Sequence, residues 1–186
     1  MNGSELFTAI CDGVRRESIL WERQLRAGRD RSEEPVFSTL VPDPSLALGL
    51  ETIYEGYLLH YGRSRLFEPS DSDVALLLGD ALLAHGLVHV AELGNVPAVA
   101  DLAALLSLCA QTRAEGRPGD GEAWAATASH LGLDRLEVAR AALRDEADPA
   151  PLGAAARERA GAEPVETALA RHAHWTLAVV VDSPVR

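Results

Sequence analysis

The sequence contains no lysine, and this absence excludes several kinds of chemistry. Its seventeen basic residues are all arginines, set against twenty-eight acidic residues, and the formal net charge is −11. A Schiff base, a lysine nucleophile and the lysine of a phosphate-binding P-loop are therefore excluded. The acidic balance also argues against nucleic acid or an anionic membrane surface as the main partner.

Cysteine is scarce as well, and a secretory signal pattern is missing. The two cysteines, Cys11 and Cys109, are too few for a disulfide framework and form no CxxC pair. Each lies in an apolar helical pattern, so we expect buried thiols. The N-terminus shows no basic segment followed by an apolar one. We therefore expect a soluble, cytoplasmic protein.

The longest apolar stretch, residues 74–93, is interrupted by four polar side chains, namely Asp80, His85, His89 and Glu92. In lipid these groups would need partners at a cost of several kcal/mol each. The stretch therefore predicts a buried core helix and no transmembrane segment.

With 186 residues and 47% hydrophobic content, the chain is long enough for one domain with a substantial core. Apolar spacing, glycines and prolines predict helices near 4–27, 44–61, 73–93, 95–115, 122–131, 134–146, 149–160 and 164–180. Before the apolar segment 175–181, no part of the chain alternates between apolar and polar residues as a strand does. We therefore predict an all-α bundle of about seven or eight helices. The short turn near residue 94 predicts that helices 73–93 and 95–115 form an antiparallel hairpin.

The sequence also predicts the domain organisation, the nature of the C-terminal segment and the helix caps. We expect a helical core over 1–116, and over 122–186 a helical region that belongs to the same domain or forms a small subdomain with a tail. The apolar segment 175–181 fits a last helical turn, a short strand or a segment docked on a partner. The predicted helix-capping residues are Ser4, Asp43, Asp71 or Asp73, Asn95 and Asp134, with Gly28 ending the first helix.

Asp80 stands out in the third predicted helix. At 100° per residue it shares a face with Leu76, Leu83, Leu87 and Ala91, in the middle of a leucine stripe. In an enclosed helix an ionised carboxylate needs a partner. We expect a structural anchor to Arg63 or Arg65 in the preceding loop; the alternative is a ligand or metal ion.

The same helix carries a second polar group of residues. His85, His89 and Glu92 are spaced i, i+4 and i+7, and such residues can bind one metal ion. Neither the HExxH order of metalloproteases nor the ExxH pair of di-iron bundles is present. The alternative is a pair of partly buried or interfacial histidines. His172 and His174 point to different sides of a helix and are therefore weaker candidates for a metal site.

No sequence pattern for catalysis is evident. The chain has no GxSxG turn, no glycine-rich phosphate loop after a strand and no cluster of catalytic carboxylates. We therefore assign no catalytic residue and no cofactor.

Part of the chain resembles the trans-polyprenyl diphosphate synthases. The segments LLLGDALLAHG (76–86) and VHVAELGNVPAVADLA (88–103) are similar to a helix pair of that family. Gly79 and Asp80 match its Gly-Asp pair, and His60 with the next two residues is similar to the sequence that precedes it. The resemblance covers about residues 58–103 and implies a helical bundle with an affinity for isoprenoid compounds.

The chain departs from the family at the residues that carry its reaction. Those enzymes hold Mg²⁺ on two aspartate-rich motifs and grip a second diphosphate with Lys and Arg. Here the stretch before Gly79 reads ETIYEGYLLH (51–60), and lysine is absent. Without clustered carboxylates we do not expect Mg²⁺-assisted loss of pyrophosphate. The resemblance then implies a truncated, non-catalytic relative.

Three functions remain as hypotheses. The first is a non-catalytic helical subunit or scaffold that acts in a homo-oligomer or with another protein partner. The second is a binding module for an isoprenoid or quinone tail, which predicts an elongated apolar channel beside helix 73–93. The third is an enzyme, either a divergent prenyltransferase or a metal-dependent protein that uses His85, His89 and Glu92.

Overall fold

The computed structural model describes residues 3–176, and helices make up most of this part of the chain. In order they are α1 (Gly3–Glu17), α2 (Ile19–Glu22), α3 (Ala47–Tyr61), α4 (Ser72–Glu92), α5 (Val96–Ala114), α6 (Asp120–His130), α7 (Glu137–Glu146), α8 (Ala150–Ala160) and α9 (Ala162–Thr176). Over the described range, extended backbone pairs only in an isolated bridge between Leu25 and Phe67. The prediction of an all-α bundle is confirmed.

The central helix is α3. All residues from 49 to 58 are buried, so water reaches no face of this segment. The main hydrophobic core surrounds it and takes side chains from α5, α6, α8 and α9, such as Leu102, Trp124, Leu152 and Val165. Residues from both halves of the chain thus share one core. A smaller cluster packs α1 against the first half of α4.

The helix α4 lies outside α3, and only five of its 21 residues are buried. Its buried residues are Leu78, Gly79, Leu82, Gly86 and Val90. The expectation that 73–93 is an enclosed core helix is therefore wrong, because α3 takes that position. Both segments are apolar almost all round, so helical periodicity gave no basis for choosing between them.

Glycines bring α3 and α4 into close contact. A Cβ added at Gly56 would lie 2.8 Å from the Gly79 carbonyl oxygen, and one added at Gly86 would lie 2.7 Å from the Gly49 carbonyl oxygen. Since the later glycine of α3 meets the earlier glycine of α4, the two helices are antiparallel. The helix α4 makes most of its contacts with α3, and fewer with α5, its predicted hairpin partner.

We predict that Gly86→Ala destabilises the protein by about 1–3 kcal/mol, because the new methyl group overpacks the α3–α4 contact. Gly13→Ala is the matched control, since a Cβ there meets nothing closer than the His85 imidazole at 4.0 Å. The control should gain up to about 1 kcal/mol, because alanine favours a helix more than glycine does. Urea unfolding of both variants measures the difference, and equal effects would contradict the prediction.

Three predicted helix caps are confirmed. Asp71 and Asn95 accept hydrogen bonds from the Val74 and Ala98 N–H groups at the starts of α4 and α5. Asp43 accepts from the Ser45 N–H and caps the short 3-10 helix Pro44–Leu46, which leads directly into α3. Asp134 is not a cap: it has a φ of 51°, and α7 begins three residues later.

The first predicted helix is divided, and Gly28 does not end it. The helix α1 stops at Glu17, and the Ser18 hydroxyl caps the short α2 by accepting from Leu20. Ser4 lies inside α1, where its hydroxyl donates to Glu33 at 2.9 Å. At the other end, residues 177–181 of the apolar segment lie outside the described residues. Both cysteines are buried and free, as expected.

Candidate functional site

Asp80 faces water. Its side chain is 72% exposed, and its Oδ1 lies 3.1 Å from Nε2 of His60, a residue of α3 whose side chain is 14% exposed. The expectation that Asp80 forms an ion pair with Arg63 or Arg65 is wrong, because Asp80 lies on the exposed side of α4 and pairs with His60 instead. The pair borders an open cavity of about 320 Å³ between α3, α4 and α5.

Arg65 has a different role, as the centre of a buried ion triad. Its Nε donates to Glu55 Oε2 at 2.9 Å, and its Nη2 donates to Glu51 Oε2 at 2.7 Å. The other oxygen of each carboxylate accepts backbone N–H groups. Burial alone would raise the pKa of Glu51, but the charge and hydrogen bond of Arg65 lower it. Arg63 is exposed, and its guanidinium lies 4.8 Å from the Trp175 ring centre.

The histidines of α4 do not come together with Glu92 as a metal site. His85 points toward α1, where its Nδ1 lies 3.4 Å from Glu17. His89 is half-buried against Gly49 of α3, and Glu92 is exposed. Over residues 3–176 no three His, Cys, Asp or Glu side chains are arranged to hold a metal ion.

A polar network that was not predicted above joins α3, α5, α6 and α9. Asp120, at the start of α6, accepts hydrogen bonds from the Tyr57 hydroxyl and the Arg113 guanidinium. His172 of α9 places Nε2 3.3 Å from the same carboxylate and Nδ1 3.0 Å from the Tyr54 hydroxyl. Arg113 also donates to the Tyr57 oxygen at 2.9 and 3.0 Å.

These contacts fix the protonation of the network. Burial would raise the pKa of Asp120, but hydrogen bonding and charge from His172, with help from Tyr57 and Arg113, hold it well below its usual range. The pKa of Tyr57 is raised by burial and by the neighbouring Asp120. The network therefore holds an ionised carboxylate beside a neutral phenol. Because both ring nitrogens of His172 already have partners, the arrangement favours holding four helices together over proton transfer to a substrate.

A cavity of about 540 Å³ opens beside this network and is bordered by Arg113, Arg117, Asp120 and His172. The terminal nitrogens of Arg117 already have partners: they donate to the carbonyl oxygens of Leu143 and of the next residue at the end of α7, and one of them also pairs with Glu115. Both acidic and basic side chains line the cavity, Asp120 and Glu122 as well as Arg113 and Arg117, so it has no uniform charge.

The sequence did hold one signal of the network. The three tyrosines of the chain are Tyr54, Tyr57 and Tyr61, spaced i, i+3 and i+7, and therefore on one face of a helix. Such a face needs polar partners for its hydroxyls when it is buried. Asp120 lies in the GRPGDG segment, between the helices predicted at 95–115 and 122–131, where the glycines and the proline indicate only a connecting turn.

The outward face of α4 and the turn after it carry several of the large apolar side chains that are exposed in the described part of the chain. Leu77 and Val88 are 59% and 57% exposed, and Leu76, Leu93 and Val96 also reach water. Within residues 3–176, α4 is the one helix long and apolar enough to cross a membrane by length and composition, which is weak evidence by itself. Asp80 stands near its middle on the water side.

The network and the outward face of α4 are thus the two candidate sites that the geometry defines. No protein-family model matches the chain, and the comparisons with curated proteins and with solved structures found no match either.

Proposed function

We propose that the protein is a non-catalytic helical subunit or scaffold whose α4 binds another protein, in a homo-oligomer or a larger complex. The observation that carries the proposal is the exposed apolar face of α4, with Leu77 and Val88 more than half exposed. Contiguous apolar surface of this kind on a small protein is typical of interaction sites. The proposal keeps the predicted cytoplasmic location.

Packing on the opposite side of α4 supports the proposal. The glycine contact with α3 fixes α4 rigidly to the core, so its outer side chains are presented without a large loss of entropy on binding. Asp80 and His60 lie at the edge of this face and offer a polar rim. A charged residue near the middle of α4 also favours a protein partner over lipid.

The resemblance to polyprenyl synthases fits the same proposal. The two carboxylates of α3, Glu51 and Glu55, bind Arg65 inside the protein and are turned away from solvent. A relative that keeps Gly79 and Asp80 without a free carboxylate cluster would serve as a supporting subunit.

Native mass spectrometry of tagged full-length protein, purified at natural abundance, tests the proposal. The double variant Leu77→Glu/Val88→Glu should lose its bound protein at least about tenfold, because two charges would be buried without partners. Val138→Glu is the matched control, since Val138 is 87% exposed on α7, away from this face. Equal recovery of the same complexes with both variants would contradict the proposal.

A second candidate function is the binding of an isoprenoid or quinone tail. A cavity of about 250 Å³ lies between α1, α3 and α4. Its lining includes the apolar Ile10, Val14, Leu48 and Leu82, together with polar side chains such as Glu17 and His85. This volume is below the range of about 300–1,000 Å³ typical of ligand sites, so a short or partly inserted tail fits best. A lipid that co-purifies with the wild type and is lost from Leu82→Trp would favour this function over the first.

A further inference from the structure

We propose that the partner of α4 is the α4 of a second copy of this chain, packed antiparallel about a twofold axis that passes between Ala81 and Ala84. This inference rests on the proposed function, since it names the protein that covers the same face. An interface of this type is isologous, so the face of α4 must be complementary to itself.

The outward face of α4 has the heptad pattern of a coiled coil. Starting at residue 74, the positions with alternating spacings of three and four carry only apolar side chains: Val74, Leu77, Ala81, Ala84, Val88 and Ala91. The buried residues Leu78, Leu82 and Gly86 lie on the opposite side, against α3. The helix therefore has one seam for its own core and a second seam, five turns long, that faces outward.

The second seam is complementary to itself in one antiparallel register. When Ala81 of one copy packs on Ala84 of the other, Leu77 packs on Val88 and Val74 packs on Ala91. The two small residues at the centre allow the helix axes to approach closely, and each larger side chain meets a smaller one. No charged residue occupies a seam position, so the pairing buries no unpaired charge.

Charge and area set the strength of this dimer. The helix is about 31 Å long and about 10 Å wide, so a single face offers less than the ~800 Å² per partner of a standard interface. Leu93 and Val96, which follow α4 in the chain, are also exposed and add apolar area next to its end. Each copy carries a charge of −11, which opposes association at low salt. We therefore expect a dimer with a micromolar dissociation constant that falls as the salt concentration rises.

Sedimentation of the purified full-length protein over about 1–300 µM tests the assembly. We expect a monomer–dimer equilibrium whose dissociation constant falls about threefold or more when ionic strength rises from low to high, because salt screens the repulsion. Leu77→Glu/Val88→Glu should remain monomeric across the range, whereas Val138→Glu should dimerise like the wild type. Circular dichroism checks that both variants keep their helices.

Cross-linking tests the register. In the variant Leu77→Cys/Val88→Cys the two new thiols of one chain are about 16 Å apart along the helix, too far for an internal disulfide. Between copies they lie opposite each other, so oxidation should yield a covalent dimer. The single variants Leu77→Cys and Val88→Cys should not cross-link. The native Cys11 and Cys109 are 3% and 1% exposed and do not compete.

Contrary results separate the inference from the proposed function. A monomer at every concentration, or single variants that cross-link as fast as the double variant, overturns the twofold pairing. If such a monomer still binds a different protein that Leu77→Glu/Val88→Glu releases, the proposed function stands with another partner. If it binds none, both are overturned, and binding of vesicles through the same face would point to a membrane instead.

Discussion

Replacement of Arg65 by methionine is expected to lower the free energy of unfolding by about 3–5 kcal/mol. The Arg65 side chain is fully buried between Glu51 and Glu55, which are themselves 0% exposed. Without the guanidinium, two carboxylates would remain together in the interior, and at least one would have to bind a proton. Burial of an uncompensated charge is among the most destabilising changes that a core can undergo. Urea unfolding at neutral pH measures the loss.

Arg159→Met is the matched control for this variant, because Arg159 is exposed on α8 and the same change there should cost less than about 0.5 kcal/mol. Adding Glu51→Gln and Glu55→Gln to Arg65→Met should recover part of the lost stability, since the buried charges are then gone. A loss below about 1 kcal/mol for Arg65→Met alone would show that the triad is not an important source of stability.

Most helices of this fold are predictable from local sequence. Asp71 and Asn95 begin α4 and α5 with side chains that accept backbone hydrogen bonds, and such caps are local by nature. The division of the first helix at Ser18 was missed because apolar spacing continues across the break. The Ser18 hydroxyl accepts a hydrogen bond from the Leu20 N–H and so competes with the helical hydrogen bonds at this point, and apolar periodicity does not report such a local bond.

The positions of α3 and α4 could not be predicted from their composition. Both helices are strongly apolar, and each also carries acidic residues: Asp73, Asp80 and Glu92 in α4, and Glu51 and Glu55 in α3. The interior nevertheless belongs to α3, because Arg65 lies fourteen and ten residues further along the chain and neutralises both carboxylates. Helical periodicity relates only residues three or four positions apart, so it does not predict a partner at that distance. For the same reason it does not predict the Asp120 network, whose members are spread from residue 54 to 172.

The triad also bears on the resemblance to polyprenyl synthases. A metal site needs carboxylate oxygens that are free to bind an ion. The oxygens of Glu51 and Glu55 accept from Arg65 and from backbone N–H groups, so both carboxylates are already satisfied. Residues 51–60, which the proposed resemblance aligns with the stretch before the family's Gly-Asp pair, thus hold a structural ion triad in this chain.

Asp120→Asn is expected to lower the free energy of unfolding by about 2–3 kcal/mol at pH 7, since charged hydrogen bonds within the network are lost. The Asp120 side chain is 14% exposed and accepts from Tyr57, Arg113 and His172, on three other helices. The amide that replaces it has no negative charge to balance Arg113. Asp145→Asn is the matched control, because that carboxylate is 63% exposed and should contribute little.

The loss should also depend on pH, in a direction set by the lowered pKa of Asp120. The unfolded chain titrates this carboxyl near its ordinary pKa of about 3.9, whereas the folded chain releases the proton at lower pH. The folded state therefore binds fewer protons below about pH 5, and the contribution of Asp120 is complete above that pH and declines as the solution is acidified. Urea unfolding of wild type and Asp120→Asn from pH 7 to pH 3 should show two stabilities that converge in acid, and a difference that stays constant or widens toward low pH would contradict the role assigned to this carboxylate.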